Sequence, residues 1–239
     1  MHFTTTSEAV RAWVHGWALS RGAGEPDPAP WGFTVTAGPP RHAVSHVLTT
    51  ADAATVREVT ADTTKPGVRL KAFVRAEAIA PWIAPGWSLS GEPGHLMSAP
   101  LHPARTPALL PLLPHGYRLR TWTRDGVTYA RVDAADGTQA ARGQAAVTGA
   151  TAVVDKVETH PGHRRRGLGR LIMRTLTDAA AEQGAKVGLL ASSAEGRALY
   201  ESTGWAVSAP LANALRGADP AERRTPGSRA GTHDTGRYA

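Results

Sequence analysis

Apolar and polar positions at the start of the chain repeat with the period of an α-helix. Val10, Trp13, Val14 and Trp17 lie three or four residues apart and predict an amphipathic helix over residues 7–20. Shorter apolar runs, interrupted by Gly and Pro, follow this helix. They predict, in order, two strands, a helix, a third strand and a short helix over residues 31–36, 42–48, 51–62, 68–74 and 75–84. Residues 1–90 are therefore expected to form an α/β unit.

Proline content separates this unit from a second one. The prolines between residues 91 and 116 predict a linker. Asp125-Gly126 then marks a hairpin turn between two strands. Beyond it the pattern predicts two strands, a helix, a strand, a helix and a last strand over residues 138–148, 151–159, 167–183, 187–191, 194–202 and 205–208. Residues 117–216 form the second unit, and the Gly-, Pro- and Arg-rich residues 217–239 are expected to be a disordered tail.

The two units share an internal pattern. Segments 69–90 and 188–208 both run strand, short helix, Gly-Trp, strand, which aligns Gly86 with Gly204. The same alignment sets the helix at 51–62 opposite the helix at 167–183. The pattern suggests two similar α/β halves, of which one carries the chemistry.

Composition narrows the possible classes of protein. The chain has 239 residues, a formal net charge of +7 and no cysteine, which excludes disulfides, thiolate zinc sites and cysteine nucleophiles. The positive charge favours an anionic partner, which can be a nucleic acid, a membrane surface or a phosphorylated cofactor. No apolar run approaches the ~18 residues of a membrane span, and no signal-peptide pattern opens the chain. A cytoplasmic protein without a membrane partner is expected.

The segment between the strand at 151–159 and the helix at 167–183 has the properties of a diphosphate cradle. A strand–loop–helix junction exposes unpaired backbone N–H groups, and the helix dipole adds partial positive charge there. Gly167 and Gly169 allow close approach of a phosphate, since neither has a Cβ. Four arginines add charge around them: Arg164, Arg165, Arg166 and Arg170. The glycine spacing argues against a basic nucleic-acid patch, so no nucleic-acid partner is expected. His160 and His163 have no carboxylate or thiolate beside them in the sequence to complete a metal site, so no metal is expected.

These residues resemble a known family. The order strand, Pro161, Arg164-x-x-Gly167-x-Gly169, helix resembles the pyrophosphate-binding motif of the GNAT superfamily of acyl-CoA-dependent N-acetyltransferases. Ser193, Gly196, Leu199-Tyr200 and Gly204-Trp205 also resemble that family, so that the resemblance covers residues 117–208. It implies a mixed, mostly antiparallel twisted sheet flanked by helices, and the internal pattern adds a second, degenerate half over residues 1–90.

The resemblance also implies roles for particular residues. Acetyl-CoA is the implied cosubstrate, held through its diphosphate by the loop from Arg164 through Leu168 to Arg170 and through its pantetheine by Val157 and Thr159. Tyr200 matches the family's general acid, which protonates the leaving thiolate. Asp155 and Glu158 are candidate bases for the amine, and strand alternation predicts that they point to opposite faces.

Two departures from the family pattern concern the cofactor and the acceptor. Ser193 stands where many members carry an Asn that helps to hold the pantetheine. Only Asp125-Gly126 separates the first two strands, where the family has two helices that wall the acceptor site. The first half or the linker is therefore expected to supply that wall.

The expected function is direct transfer of an acetyl group to a small-molecule amine by a monomer or homodimer. Without a cysteine, a direct mechanism is favoured over a covalent acyl-enzyme. Two alternatives stay open at this point: a protein or peptide N-acetyltransferase, and a non-catalytic module that binds acyl-CoA or nucleic acid.

Overall fold

The computed structural model describes residues 3–37, 43–102 and 113–217. Its helices are α1 (Thr6–Ser20), α2 (Ala53–Asp62), α3 (Ala76–Ile79), α4 (Leu168–Glu182) and α5 (Ala194–Glu201). The strands of the first half are β1 (Asp27–Ala29), β2 (Gly32–Thr36), β3 (Val44–Leu48), β4 (Arg69–Ala72), β5 (Trp87–Leu89) and β6 (Gly94–Pro100). Those of the second half are β7 (Tyr117–Arg124), β8 (Val127–Ala134), β9 (Gln139–Thr148), β10 (Thr151–Thr159), β11 (Val187–Ser193) and β12 (Ala206–Arg216).

All of these strands belong to one mixed sheet. Its order is β1-β2-β3-β4-β12-β6-β11-β10-β9-β8-β7, with β5 paired to β12 outside this path. Only β3 with β4 and β10 with β11 are parallel, and a helix crosses over between the strands of each pair. The expected fold, a mostly antiparallel twisted sheet flanked by helices, is confirmed. No helix of the described residues is both long and apolar enough to cross a membrane.

The two halves exchange their last strands. β6 lies between β11 and the first part of β12, and is antiparallel to both. The second part of β12 pairs in turn with β4 through residues 212–215 and with β5 through residues 214–216. Each half therefore completes its sheet with a strand from the other half, and the β3-α2-β4-α3-β5 order of the first half repeats as β10-α4-β11-α5-β12.

The structure differs from the prediction that residues 91–116 form a linker. Residues 94–100 form β6, a central strand in which Leu96 and Met97 are fully buried. Pro93 precedes this strand and Pro100 is its last residue, so neither ring interrupts the ladder and the proline count was misleading. Residues 103–112, the rest of the proline-rich stretch, lie outside the described residues, as does the expected tail from residue 218 onward.

Helices cover both faces of the sheet. α1 is capped by a reciprocal pair of hydrogen bonds between Thr5 and Glu8. Its buried Val10 and Trp13 share one core with β2 and β3 of the first half and with Val153 and Leu189 of the second. α4 packs Leu171, Ile172 and Leu176 on the opposite face. Because α1 contacts strands of both halves, it fixes the halves relative to each other.

Close packing of α1 on β10 gives a prediction for Gly16. A Cβ at this position would lie 2.5 Å from Val153 Cγ2, and Val153 is fully buried. Gly16→Val should therefore lower the free energy of unfolding in urea by about 2 kcal/mol, since overpacking costs 1–3 kcal/mol. Gly24→Val is the control, because no atom lies within 4 Å of its Cβ position. Equal stability of the two variants would contradict this packing.

Candidate functional site

A cleft opens where two parallel strands separate. β10 pairs with β11 only from Thr151 to Val153, although β10 continues to Thr159 and β11 to Ser193. The strands diverge beyond this point, so backbone groups of the two strands that face the gap are not used by the ladder between them. The loop after β10 and the N-terminus of α4 lie at the end of the gap.

The N-terminus of α4 has free backbone donors. Gly167 is its N-cap, in the left-handed conformation with φ of 78°, and no side chain caps the helix. Leu171 N is the first to bond within the helix, to Gly167 O, so the N–H groups of Leu168, Gly169 and Arg170 are available. The helix dipole adds partial positive charge at these groups. These free donors lie where the sequence predicts an anion site.

The two glycines act differently from one another. Gly167 is required by its positive φ, while a Cβ there would meet no atom within 4 Å. A Cβ on Gly169 would instead lie 3.0 Å from Leu199 Cδ2 and 3.6 Å from Thr159 Oγ1. Gly169 therefore also lets α4 lie close to α5 and β10, a packing role that the sequence pattern does not indicate.

A cavity of about 850 Å³ extends from this N-terminus along the gap. Its volume is within the range of ligand sites, ~300–1,000 Å³. The predicted cofactor residues that line it are Val157, Thr159, Arg164, Arg165, Gly167, Leu168, Gly169, Arg170 and Ser193, and Glu158 and Tyr200 of the predicted catalytic residues line it too. The structure thus brings most of the predicted site into one cleft.

The four arginines differ in their partners. Arg164 Nη1 contacts Glu195 Oε1 at 2.7 Å, and Arg170 Nε donates to Ser202 Oγ at 3.3 Å. Arg166 is not among the residues that line the cavity; its Nη1 donates to the Tyr117 hydroxyl at 2.8 Å. Arg165 has φ of 59° and lines the cavity. The positive side-chain charge at the cleft therefore comes from Arg164, Arg165 and Arg170, and Glu195 offsets that of Arg164.

Ser193 has a local structural role. Its Oγ accepts a hydrogen bond from Gly196 N at 3.2 Å and so caps α5. The hydroxyl proton remains available to the cleft, because the capping oxygen is only an acceptor in this bond.

Tyr200 lies at the inner end of the cleft, with 8% of its surface exposed. Burial, and to a smaller extent the negative charge of Asp155, raises the pKa of Tyr200 to about 12. The phenol therefore keeps its proton throughout the physiological pH range, which is the state that a proton donor needs.

The predicted placement of Asp155 and Glu158 on opposite faces is wrong. A β-bulge sets Lys156 and Val157 together opposite Gly143, so that Asp155 pairs with Gln144 and Glu158 with Arg142. Residues 142 and 144 share a face, and both carboxylates therefore share it as well. The φ of 52° at Lys156 marks this irregularity, for which the sequence carries no glycine signal.

Each of the two carboxylates is hydrogen-bonded. Asp155 accepts from Ser20 Oγ at 3.0 Å and from Arg21 Nη2 at 2.8 Å, and its side chain is 14% exposed. Glu158 accepts from Arg142 Nη2 at 2.7 Å and is 59% exposed. Asp155 is thus held by α1 in a sheltered place, and Glu158 lies at the cleft surface.

A second cavity, of about 640 Å³, adjoins the first on the α1 side. Ser193 lines both, and Asp155 lines the second. The remaining walls come from α1, β4, the segment at 88–94 and β12, with the side chains of Trp13, Trp17, Arg21, Arg69, Lys71, Glu92 and Asn213. Sequence reasoning missed these residues except as general apolar or charged positions, because they meet only through the exchanged strands.

The first half has no equivalent of the cradle. The helix α2 matches α4 in the chain order, but its N-cap is Asp52, whose Oδ1 accepts from Thr55 N at 2.9 Å. A carboxylate at that N-terminus occupies the donors and repels a second anion. In the described part of the chain, no group of three or more His, Cys, Asp or Glu side chains is placed to hold a metal ion.

Comparison with known proteins gives a family match for part of the chain. Residues 125–207 match the family model described as an acetyltransferase (GNAT) domain, and a comparison with curated protein sequences gives no match. A GCN5-related N-acetyltransferase from Kribbella flavida has a TM-score of 0.62 at 16% identity, over 92% of this chain and 99% of that chain.

Two further solved structures are similar. A tandem GNAT protein from the clavulanic acid biosynthesis pathway has a TM-score of 0.52 at 16% identity, over 80% of this chain and 82% of that one. A GCN5-related N-acetyltransferase-like protein from Streptococcus suis has a TM-score of 0.51 at 12% identity, over 88% of this chain and 99% of that one. At such identities these likenesses show the shared fold, including the first half of the chain.

Proposed function

Since residues 125–207 match the model of an acetyltransferase (GNAT) domain, we propose that this protein transfers the acetyl group of acetyl-CoA to the amine of a small molecule. The observation that carries the proposal is the N-terminus of α4, which no side chain caps, at the end of the gap between β10 and β11. A diphosphate fits there, because free N–H groups, a helix dipole and three arginines converge on it.

Different residues of the cleft bind different parts of the cosubstrate. The N–H groups of Leu168, Gly169 and Arg170 bind the diphosphate of the cosubstrate, and Arg165, whose side chain makes no hydrogen bond or ion pair within the described residues, adds positive charge. Val157, Thr159 and Ser193 line the path of the pantetheine. Positioning of this kind supplies a large part of the rate enhancement in two-substrate reactions.

The proposed reaction includes two proton transfers, one to the leaving thiolate and one from the attacking amine. Acetyl-CoA supplies an activated carbonyl carbon; the amine nitrogen bonds to it, and the bond to sulfur breaks. Tyr200 donates its proton to the leaving thiolate, and bulk solvent restores that proton. Asp155 is the carboxylate of the second cavity that borders the cosubstrate cleft, and there it accepts the proton that the amine releases. Glu158 faces the cosubstrate side of the cleft, which leaves it without a proton-transfer role in this scheme.

The acceptor wall supports a small-molecule amine. The second cavity is bordered by α1, β4, β12 and the segment before β6, and its volume of about 640 Å³ is within the range of small-molecule sites, ~300–1,000 Å³. We therefore infer that residues 1–90 act as an accessory, GNAT-related half that shapes the acceptor site of the catalytic half at 117–216.

A thiol-release screen tests the proposed function. The protein is incubated with acetyl-CoA and a library of small amines, and free CoA thiol and product mass are measured together. We expect release that depends on the amine, with a product 42 Da heavier than the acceptor, the mass an acetyl group adds in place of hydrogen. CoA binding with no amine-dependent release of thiol would support the alternative of a non-catalytic module that binds acyl-CoA. Salt-sensitive binding to RNA with no affinity for CoA would contradict the proposal entirely.

A further inference from the structure

Lys71 is a half-buried cation on the wall of the second cavity without a carboxylate partner. It lies on β4, its Nζ donates to Asn213 Oδ1 at 2.8 Å, and the ammonium stands 5.4 Å from the centroid of the Trp17 ring. Among the described residues no carboxylate oxygen lies within 4.0 Å of its Nζ, since none of the ion pairs there includes Lys71. An amide and an aromatic ring stabilise an ammonium only partly compared with water.

The other charges of the cavity leave this cation uncompensated. Asp155 is hydrogen-bonded to Arg21, the C-cap residue that follows α1. Arg69, two residues before Lys71 on β4, brings a second positive charge to the same wall. Glu92 lies on the exposed segment before β6. The lining thus has three cationic and two carboxylate side chains, and the unpaired positive charge is concentrated on β4.

The local environment penalises the charged form of Lys71. Burial, and then the positive charges of Arg21 and Arg69, lowers the pKa of Lys71 to about 8, while Asp155 opposes this shift. An anion bound beside the ammonium would replace the lost hydration and favour the charged form.

Aromatic side chains give the cavity an apolar wall next to this cation. Trp13 and Trp17 stack with their ring centroids 4.9 Å apart, and the wall they form continues to Asp155 and Ser193 at the border with the cofactor cleft. A ligand in this cavity therefore meets a cation on β4 at one side and the cosubstrate cleft at the other.

We propose that Lys71 binds an anionic group of the acceptor, so that the substrates are amines that also bear a carboxylate. The carboxylate accepts from the Lys71 ammonium, with Arg69 beside it, and the carbon skeleton lies against the tryptophans. The amine then faces Asp155 and the cosubstrate cleft. This inference rests on the proposed acetyl transfer, and it names the substrate class of the same site.

The test compares amino acids with their carboxamides as acceptors and as ligands. Each pair has the same side chain and differs at the carboxylate, as phenylalanine does from phenylalaninamide. The acid-to-amide ratio of kcat/KM is measured in wild type, Lys71→Met, Lys71→Arg and the exposed control Lys65→Met. Quenching of tryptophan fluorescence measures binding to the CoA-loaded protein without turnover, since Trp17 lines the cavity.

The expected result is a ratio that falls at least about 10-fold in Lys71→Met, since a hydrogen bond to a charged group is commonly worth that factor. Lys71→Arg should largely restore it, and Lys65→Met should leave it at the wild-type value. Comparing each ratio with wild type removes the difference in amine basicity within a pair. An unchanged ratio in Lys71→Met would overturn the proposal while leaving acetyl transfer intact.

The pH profile separates an anion site from a merely structural lysine. With one acid as acceptor, the ratio of wild-type to Lys71→Arg kcat/KM should fall as pH rises through about 8, because only wild type loses its charge there. Arg21, Arg69, Asp155 and Glu92, which also line the cavity, are present in both proteins and cancel in this ratio. A flat ratio from pH 7 to 9.5 would contradict the proposal.

The binding measurement keeps the two proposals distinct. If no probe is acetylated but the acids quench fluorescence in wild type and not in Lys71→Met, the anion site stands and acetyl transfer fails. If neither acids nor amides quench or react, the anion site is overturned, whatever other amines the protein acetylates.

Discussion

Gly169→Asp is expected to weaken the binding of CoA by roughly 100-fold. The variant places a carboxylate in the first turn of α4, beside the free N–H groups of Leu168, Gly169 and Arg170. Two like charges about 4 Å apart repel by ~4 kcal/mol at the effective dielectric constant near a protein surface, and arginines offset part of this. Calorimetric titration with CoA measures the dissociation constant directly.

Gly169→Ala is the matched control for this variant. Its Cβ meets the same Leu199 Cδ2 at 3.0 Å, which is the end of a flexible side chain, but it brings no charge. We expect the alanine variant to bind CoA within a few-fold of wild type. If alanine and aspartate weaken binding equally, the loss arises from packing between α4 and α5, and the diphosphate does not lie at this N-terminus.

Tyr200→Phe is expected to lower kcat on the order of 100-fold, with the dissociation constant of CoA unchanged. A positioned general acid contributes ~10²–10⁴ to the rate, and the thiolate of CoA leaves more slowly without a proton donor. The phenyl ring retains the packing of Tyr200 against the core, so that the fold is kept. Steady-state kinetics on the acceptor found by the thiol-release screen gives kcat, and calorimetric titration with CoA gives the dissociation constant.

The pH dependence adds a second test of Tyr200. Because its pKa is raised to about 12, the phenol stays protonated as pH rises from 7 to 10, and its loss should lower kcat by a constant factor over this range. Tyr129→Phe, a change on β8 in a ring stacked on Trp122, should keep wild-type turnover. Full activity of Tyr200→Phe would assign Tyr200 to packing alone.

The catalytic half could be predicted from the sequence because its signals are local. A strand followed by Arg164-x-x-Gly167-x-Gly169 and an amphipathic helix fixes both an element order and an anion site, and neither depends on distant contacts. Gly167 is the clearest instance, since its positive φ and the open helix N-terminus are properties of the loop itself.

The parts that the sequence did not reveal depend on long-range pairing. β6 is bounded by prolines and looks like a linker until β11 and β12 enclose it. The bulge at Lys156, which turns Asp155 and Glu158 to one face, depends on the pairing register between β10 and β9. No glycine at this position indicates it in the sequence. The second cavity requires Lys71 and Asn213, which are far apart in the chain and adjacent only because β12 pairs with β4.

Strand exchange explains why an acceptor wall can come from a half that has no cradle. The helix α2 begins at an Asp52 N-cap, whereas the N-terminus of α4 has free backbone donors, so the two matching helices differ at the position of the proposed anion site. Its strand β4 nevertheless borders the second cavity, because β12 joins β4 to the catalytic half. Under the proposed function, the first half would therefore help to determine which acceptor enters.

The stoichiometry of CoA binding tests the central claim most directly, since we propose one diphosphate cradle for two similar halves. Calorimetric titration of the whole chain with CoA should give one site per chain, and Gly169→Asp should abolish or greatly weaken that single site. Two sites per chain, or one site that Gly169→Asp leaves at wild-type affinity, would contradict the assignment of the cradle to the N-terminus of α4.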